Sequence, residues 1–223
     1  MIESNSAYKK KVCDYYKIDY SNELLLYAPT FRDGKNFDAY SIDFERLRDN
    51  LKKKYGLNYV ILVHLHPNVA SVEGGITYDG INVINSTYYT DTQELLAASS
   101  ILIGDYSSIN YDFCLKRKPV IRYCADLEKY KSEERGFYFS FDDYPFPYAK
   151  DNNELEKIIL EFDESLYLKN LDNFTNKMGS VIEPNASQKL SNLINDYINS
   201  KKNVFYPYFI LIEIFNIAYI ISS

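Results

Sequence analysis

Short apolar runs alternating with helical patterns constrain this chain more than any other feature. LLLYA at 24–28, YVILVHL at 59–65, INVI at 81–84, ILIG at 101–104 and PVIRY at 119–123 are each of strand length. Between them, 44–55 is amphipathic, 92–99 opens at Asp91 with Glu94 three residues on, as in a capping box, and 108–116 follows the fourth run. That rhythm predicts an α/β fold with a doubly wound, Rossmann-like parallel sheet. After Phe141 the strand signal fades. Three helix-like segments follow at 153–162, 165–178 and 187–199, and Pro145 and Pro147 mark a loop before them. No internal repeat or low-complexity linker is present, so the expected organisation is a lead-in at 1–22, one Rossmann-like domain at 23–200 and an apolar tail at 201–223.

Charge and composition exclude some functions. A net charge of -6 argues against a general nucleic-acid binder, which needs a basic surface to displace counterions from phosphates. Three cysteines without CxxC spacing read as free thiols. The first residues, MIESNSAYKKKVCDYYK, place no apolar region behind their charges, so no secretory signal is expected and the expected location is the cytoplasm. The run at 204–221 is strongly apolar but carries Pro207 and Glu213 and is at the lower edge of spanning length. Two uses are open for it: packing against the domain or a partner, or peripheral contact with the inner face of the cell membrane.

In an open parallel sheet, ligands bind beyond the carboxyl ends of the strands. The residues following the apolar runs are polar here: Thr30 and Arg32 after the first, His64 and His66 at the end of the second, Asp105, Ser107 and Ser108 after the fourth, and Asp126 after the fifth. The turn from Asp105 to Ser108 joins strand to helix, which would aim two hydroxyls and free backbone N–H groups into the crevice as a phosphate cradle without glycines. Capping of its own helix by Ser107 is the competing reading. His64 and His66, the only histidines, would share a face if the strand continues that far. One of them could serve as general base or phosphate partner, whereas a zinc site lacks a third ligand at recognisable spacing. Arg135 could bring a planar fork to an oxyanion, or it and Gly136 could form an exposed turn. No metal and no cofactor are expected.

Taken in order, LLYAPTFRD at 25–33, ILVHLHPNV at 61–69, YTDTQELLAASSILIGDYSSINYDFCLKRKPVIRY at 89–123, DLEKYKSEERGFYFSF at 126–141 and, more weakly, NASQKL at 185–190 resemble the CDP-glycerol glycerophosphotransferase family of teichoic acid polymerases and primases. The resemblance implies the C-terminal, nucleotide-binding half of a GT-B architecture, with a helical C-terminal segment. It implies CDP-glycerol or another CDP-alcohol as donor, a polyol-phosphate or lipid-linked acceptor, and release of CMP. His66 matches the family histidine and is the expected catalytic residue. Ser107 and Ser108 would bind pyrophosphate, Arg135 and Gly136 would line the same cleft, and Thr30, Arg32, His64 and Asp105 would complete the substrate site. His64 stands where related sequences often carry arginine. The family's N-terminal half has a second histidine in a WHG-like motif. This sequence has no Trp and no histidine before His64, so a missing N-terminal half or partner chain is expected. A non-catalytic module that binds a membrane or protein, and half of a sugar-nucleotide glycosyltransferase, are the alternatives.

Overall fold

The computed structural model describes residues 5–32, 40–66, 82–133, 140–179 and 185–200. Six parallel strands form one sheet: β1 (Glu23–Tyr27), β2 (Tyr59–Val63), β3 (Val83–Asn85), β4 (Ile101–Gly104), β5 (Val120–Tyr123) and β6 (Tyr148–Ala149). Their spatial order is β3-β2-β1-β4-β5-β6, the doubly wound order expected from the sequence. Register is set by pairs such as Leu25 with Ile61 on one side of β1 and Leu26 with Leu102 on the other.

Successive side chains of a strand point to opposite faces, and both faces are buried here. Leu25, Tyr27, Ile61, Val63, Ile101, Ile103, Ile121 and Tyr123 enter one core, which is covered by α2 (Phe44–Tyr55) and α6 (Asn152–Glu161) through Leu47, Leu51, Leu155 and Ile159. Leu24, Leu26, Val60, Leu62, Leu102 and Val120 enter the other. That face is covered by α1 (Asn5–Tyr16), α3 (Thr92–Ala98), α4 (Ile109–Cys114) and α7 (Glu164–Lys177) through Val12, Leu95, Leu96, Phe113, Tyr167 and Leu171. Truncating one of these buried leucines to alanine removes about 2–5 kcal/mol of stability.

Local chemistry fixes the helix ends. Asp43, Asp151 and Asp163 each accept a first-turn N–H of α2, α6 and α7. Gly56 ends α2 at φ 72°, a left-handed conformation that costs a side-chain-bearing residue. At the start of α3 the capping box forms only in part. Asp91 accepts the Gln93 N–H, while the Glu94 carboxylate turns outward to the Tyr89 hydroxyl and Lys11.

Three features depart from the expected organisation. The lead-in folds as α1 and contributes Val12 and Cys13 to the core. A short helix, α5 (Leu127–Glu133), follows β5. The proline-marked loop closes with β6; the carbonyl of Pro147, just before it, and that of Ala149, within it, accept the N–H groups of Arg122 and Cys124. Residues through Gly179 form one compact unit. A final helix, α8 (Ala186–Ser200), belongs to a second unit and is described by itself.

Arg122, on β5, explains how the loop before β6 is held. Its guanidinium is 3% exposed and donates to the carbonyls of Phe141 and Phe146. Its charge lies 3.8 Å above the Phe141 ring, with Tyr144 and Tyr148 completing an aromatic cage. Burial lowers its pKa, and the carbonyls and ring faces offset part of that cost.

The end of β4 is equally tight. Asn110, from α4, donates to the Asp105 carbonyl and fills the space beside Gly104, where an added Cβ would overlap its Oδ1. Gly104→Ala is therefore expected to lower unfolding stability by about 1–3 kcal/mol in urea denaturation. In an Asn110→Ala background the same change should cost much less; an equal cost in both backgrounds would show that Asn110 is not what the methyl group meets.

Candidate functional site

The strand order reverses between β1 and β4, so the crevice of this sheet opens beyond their carboxyl ends. The polar residues singled out after the strands gather there, but they are engaged very differently.

Asp105 is 1% exposed and makes its bonds inward. Its carboxylate accepts the Thr30 N–H at 2.9 Å, the Thr30 hydroxyl at 2.6 Å and the N–H of Tyr106 at 2.6 Å. Arg32, 6% exposed, spans the gap between β1, β4 and β5. It donates Nη2 to Asp105 at 2.9 Å, Nε to Asp126 at 2.7 Å and Nη1 to the Thr30 carbonyl at 2.8 Å. Tyr106 donates its hydroxyl to Asp126 at 2.9 Å, and its ring stacks on Tyr130 of α5 at 3.7 Å. The Arg32 guanidinium lies about equally close to both rings, at 4.9 and 5.1 Å.

The titration behaviour follows from this packing. Burial pushes the Asp126 carboxyl up, but hydrogen bonds and charge from Arg32, with the Tyr106 hydroxyl, outweigh it and hold the group below its ordinary value. Burial likewise works against the Arg32 charge, and the two aspartates more than compensate. The Tyr106 phenol is raised, first by burial and then by its anionic neighbours. Cys124, beneath the cluster, is pushed up to about 12 by burial, which makes it a packing residue rather than a nucleophile.

The two histidines are engaged differently. The strand β2 ends at Val63, although the His64 N–H still donates to the Tyr27 carbonyl and Leu65 packs in the same core as Ile61 and Val63. His64 is half-buried, with Nδ1 2.7 Å from the Ser86 carbonyl and Nε2 3.1 Å from the Thr92 hydroxyl. A carbonyl only accepts, so Nδ1 carries a hydrogen, and in the neutral ring Nε2 accepts from the Thr92 hydroxyl. His66 is exposed, and its ring sits 5.3 Å from that of Phe31, which follows β1.

Ser107 turns its hydroxyl to the Ile109 N–H at 3.3 Å, so the capping reading holds for its side chain. Ser108 is exposed and makes no capping bond. Thr30, Arg32, His64 and Asp105 are thus engaged by other parts of the protein, while His66 and Ser108 are exposed and Ser107 is half-buried. Arg135 and Gly136 lie outside the described residues. A small cavity of about 30 Å³ touches Asp105, Tyr106, Ser107 and Asn110. A larger groove of about 730 Å³ runs between residues 142–148 and α7 and is lined by none of the strand-end candidates.

Asp126 is picked out by the sequence as a polar strand-end residue but has no role in the expected site, and Tyr106, which follows the fourth run beside Asp105, has none either.

Comparison with known proteins places this arrangement in a family. The model of the CDP-Glycerol:Poly(glycerophosphate) glycerophosphotransferase family matches residues 1–196. The chain belongs to that family. A teichoic acid poly(glycerol phosphate) polymerase of Staphylococcus epidermidis is 29% identical over 207 residues, covering 89% of this chain and 28% of the relative. A teichoic acid ribitol-phosphate primase of Bacillus spizizenii is 32% identical over 180 residues, covering 79% of this chain and 44% of the relative. Among solved structures, the wall teichoic acid polymerase TagF superposes with a TM-score of 0.67 at 28% identity, covering 89% of this chain and 48% of that one. A TagF variant soaked with CDPG superposes with a TM-score of 0.66. The chain therefore spans less than half the length of these curated relatives and about half of the solved polymerase chain. Among the described residues, no helix is long and apolar enough to cross a membrane.

The buried ion network has a measurable pH signature. A carboxyl held low in the folded state contributes stability that is fully present above its ordinary pKa near 3.8 and is lost as pH falls through the depressed value. Arg32→Met leaves two buried carboxylates without their cation and is expected to cost about 3–5 kcal/mol at neutral pH. The gap between wild type and variant should narrow as the pH of thermal melts drops below about 4. A gap constant from pH 7 to pH 3 would show that Arg32 does not stabilise through these charges.

Proposed function

We propose that this chain is the donor-binding half of a glycerophosphotransferase that moves glycerol phosphate from CDP-glycerol to an acceptor hydroxyl in teichoic acid or related cell-surface polymer synthesis. The observation that carries the reading is the family match over residues 1–196, combined with a strand-end crevice whose exposed polar groups are His66 and Ser108, with Ser107 half-buried beside Ser108. The CDPG-soaked relative supports the choice of nucleotide.

In the proposed reaction the acceptor oxygen attacks the phosphorus that bears glycerol. A new P–O bond forms, the bond from that phosphorus to the bridging oxygen breaks, and CMP carries away the electron pair. A general acid or base that takes the acceptor proton, or neutralises the leaving phosphate, lowers this barrier. His66 is assigned that position on this chain, because it is exposed at the crevice and Phe31 limits its ring orientation. Backbone N–H groups of the turn at Ser107 and Ser108, with the Ser108 hydroxyl, would receive pyrophosphate oxygens. Arg135 and Gly136 are assigned to the same phosphates by motif. Thr30, Arg32, His64 and Asp105 hold the geometry and, in this reading, shape the pocket rather than donate to the ligand.

The acceptor, a polyol phosphate or a lipid-linked primer, is assigned to a segment corresponding to the rest of the relatives' length, on the same polypeptide or a partner. Peripheral placement at the inner face of the membrane belongs to the same proposal and rests on the apolar run at 204–221, which lies outside the described residues.

Calorimetric titration with CDP-glycerol, against CDP, CMP and UDP-glucose, tests the donor site. CDP-glycerol should bind most tightly, and replacing both Ser107 and Ser108 with Pro should weaken it by roughly tenfold or more, because each proline removes a backbone N–H donor. The Ser107→Ala plus Ser108→Ala variant should lose less, since it keeps those donors. Absence of binding to any of the four nucleotides would sink the donor-site reading.

A further inference from the structure

We propose that Asp126 is a positioning residue for the nucleotide-binding turn, acting through Tyr106 rather than by touching the ligand. This rests on the donor-site reading above and deepens it.

Two routes lead from the Asp126 carboxylate to residue 106. The direct one is the Tyr106 hydroxyl, 2.9 Å from Asp126 Oδ1. The indirect one runs through Arg32, which donates to Asp126 at 2.7 Å and to Asp105 at 2.9 Å, and then from Asp105 to the Tyr106 N–H at 2.6 Å. The routes grip one residue at its side-chain tip and at its backbone. A residue held at both ends has its backbone torsions and its χ angles fixed together. Ser107 and Ser108 come next in the chain, so the direction of their N–H groups follows from that of Tyr106.

A purely structural staple would not need this arrangement. Arg32 alone could link Asp105 to Asp126 and join the strand ends. The Tyr106 hydroxyl adds little to that link, because the ring is already seated by its stack on Tyr130 at 3.7 Å and by the guanidinium at 4.9 Å. What the hydroxyl adds is orientation, since it stops the ring sliding within the stack. The Asp126 side chain is 8% exposed and the Arg32 side chain 6%, so water competes little for these bonds.

Tyr106→Phe removes the hydroxyl and keeps the stack, and Asp126→Asn keeps the shape and removes the charge. For both, CDP-glycerol affinity is measured by calorimetry, thermal midpoint by calorimetric scan, and amide hydrogen exchange at residues 106–109 without nucleotide. Tyr106→Phe is expected to weaken CDP-glycerol binding by roughly three- to tenfold, less than the full worth of a hydrogen bond to a charged group because the effect reaches the ligand only through the turn. It should speed exchange at 107–109 while leaving exchange in β1 and β4 and the thermal midpoint close to wild type. Asp126→Asn should weaken binding further and also lower the midpoint.

An unchanged affinity with unchanged exchange at 107–109 in Tyr106→Phe would overturn the proposal. So would losses confined to the midpoint, which is the behaviour of a structural staple. If wild type binds no CDP-glycerol, the donor-site reading fails, and the exchange arm still decides whether Asp126 sets the turn.

Discussion

One guanidinium shared by two buried carboxylates holds the working end of this sheet together. β1, β4 and β5 are joined along their length by parallel hydrogen bonds, but those bonds stop where the strands stop. Beyond that line the chain has to turn away three times, and each turn needs its own constraint. Arg32 supplies one constraint to all three, because its planar fork reaches Asp105 after β4 and Asp126 after β5 while its own backbone follows β1. A lysine in this place could satisfy one carboxylate and would leave the other desolvated without a partner. Burial of so much charge is not a cheap route to stability. Its value is geometric: it fixes where the loops begin.

The architecture was largely legible in the sequence for a physical reason. β1, β2, β4 and β5 bury both faces, so nearly every residue in them must be apolar, and such runs stand out against a chain with 25% charged residues. β6 escaped because Tyr148–Ala149 is too short to carry a pattern and follows two prolines that read as a loop. The N-terminal helix escaped because its face toward the core is narrow, with Val12 and Cys13 set among lysines and tyrosines.

The strand-end polar residues could be picked out in the sequence by position but not by wiring. Strand-end reasoning located Thr30, Arg32, His64, Asp105 and Ser107, yet it treated them as separate groups facing a ligand. The structure pairs Arg32 with residues 73 and 94 positions away, and His64 with residues 22 and 28 positions away. Local spacing cannot express such partners, since they exist only after the sheet has ordered its strands. The fate of His64 shows this well. Its imidazole bridges a carbonyl and a hydroxyl, which turns a candidate anion ligand into a tie between β2, β3 and α3.

The two edges of the sheet carry a further consequence. β3 has three residues and β6 has two, and neither offers a long row of unpaired N–H and C=O groups. A second polypeptide, whether another copy or the counterpart of the relatives' remaining length, has no extended strand to pair with among the described residues. Among the described residues, neither edge favours assembly by growth of the sheet, which leaves the helices and the strand-end loops as the surfaces a neighbour would meet.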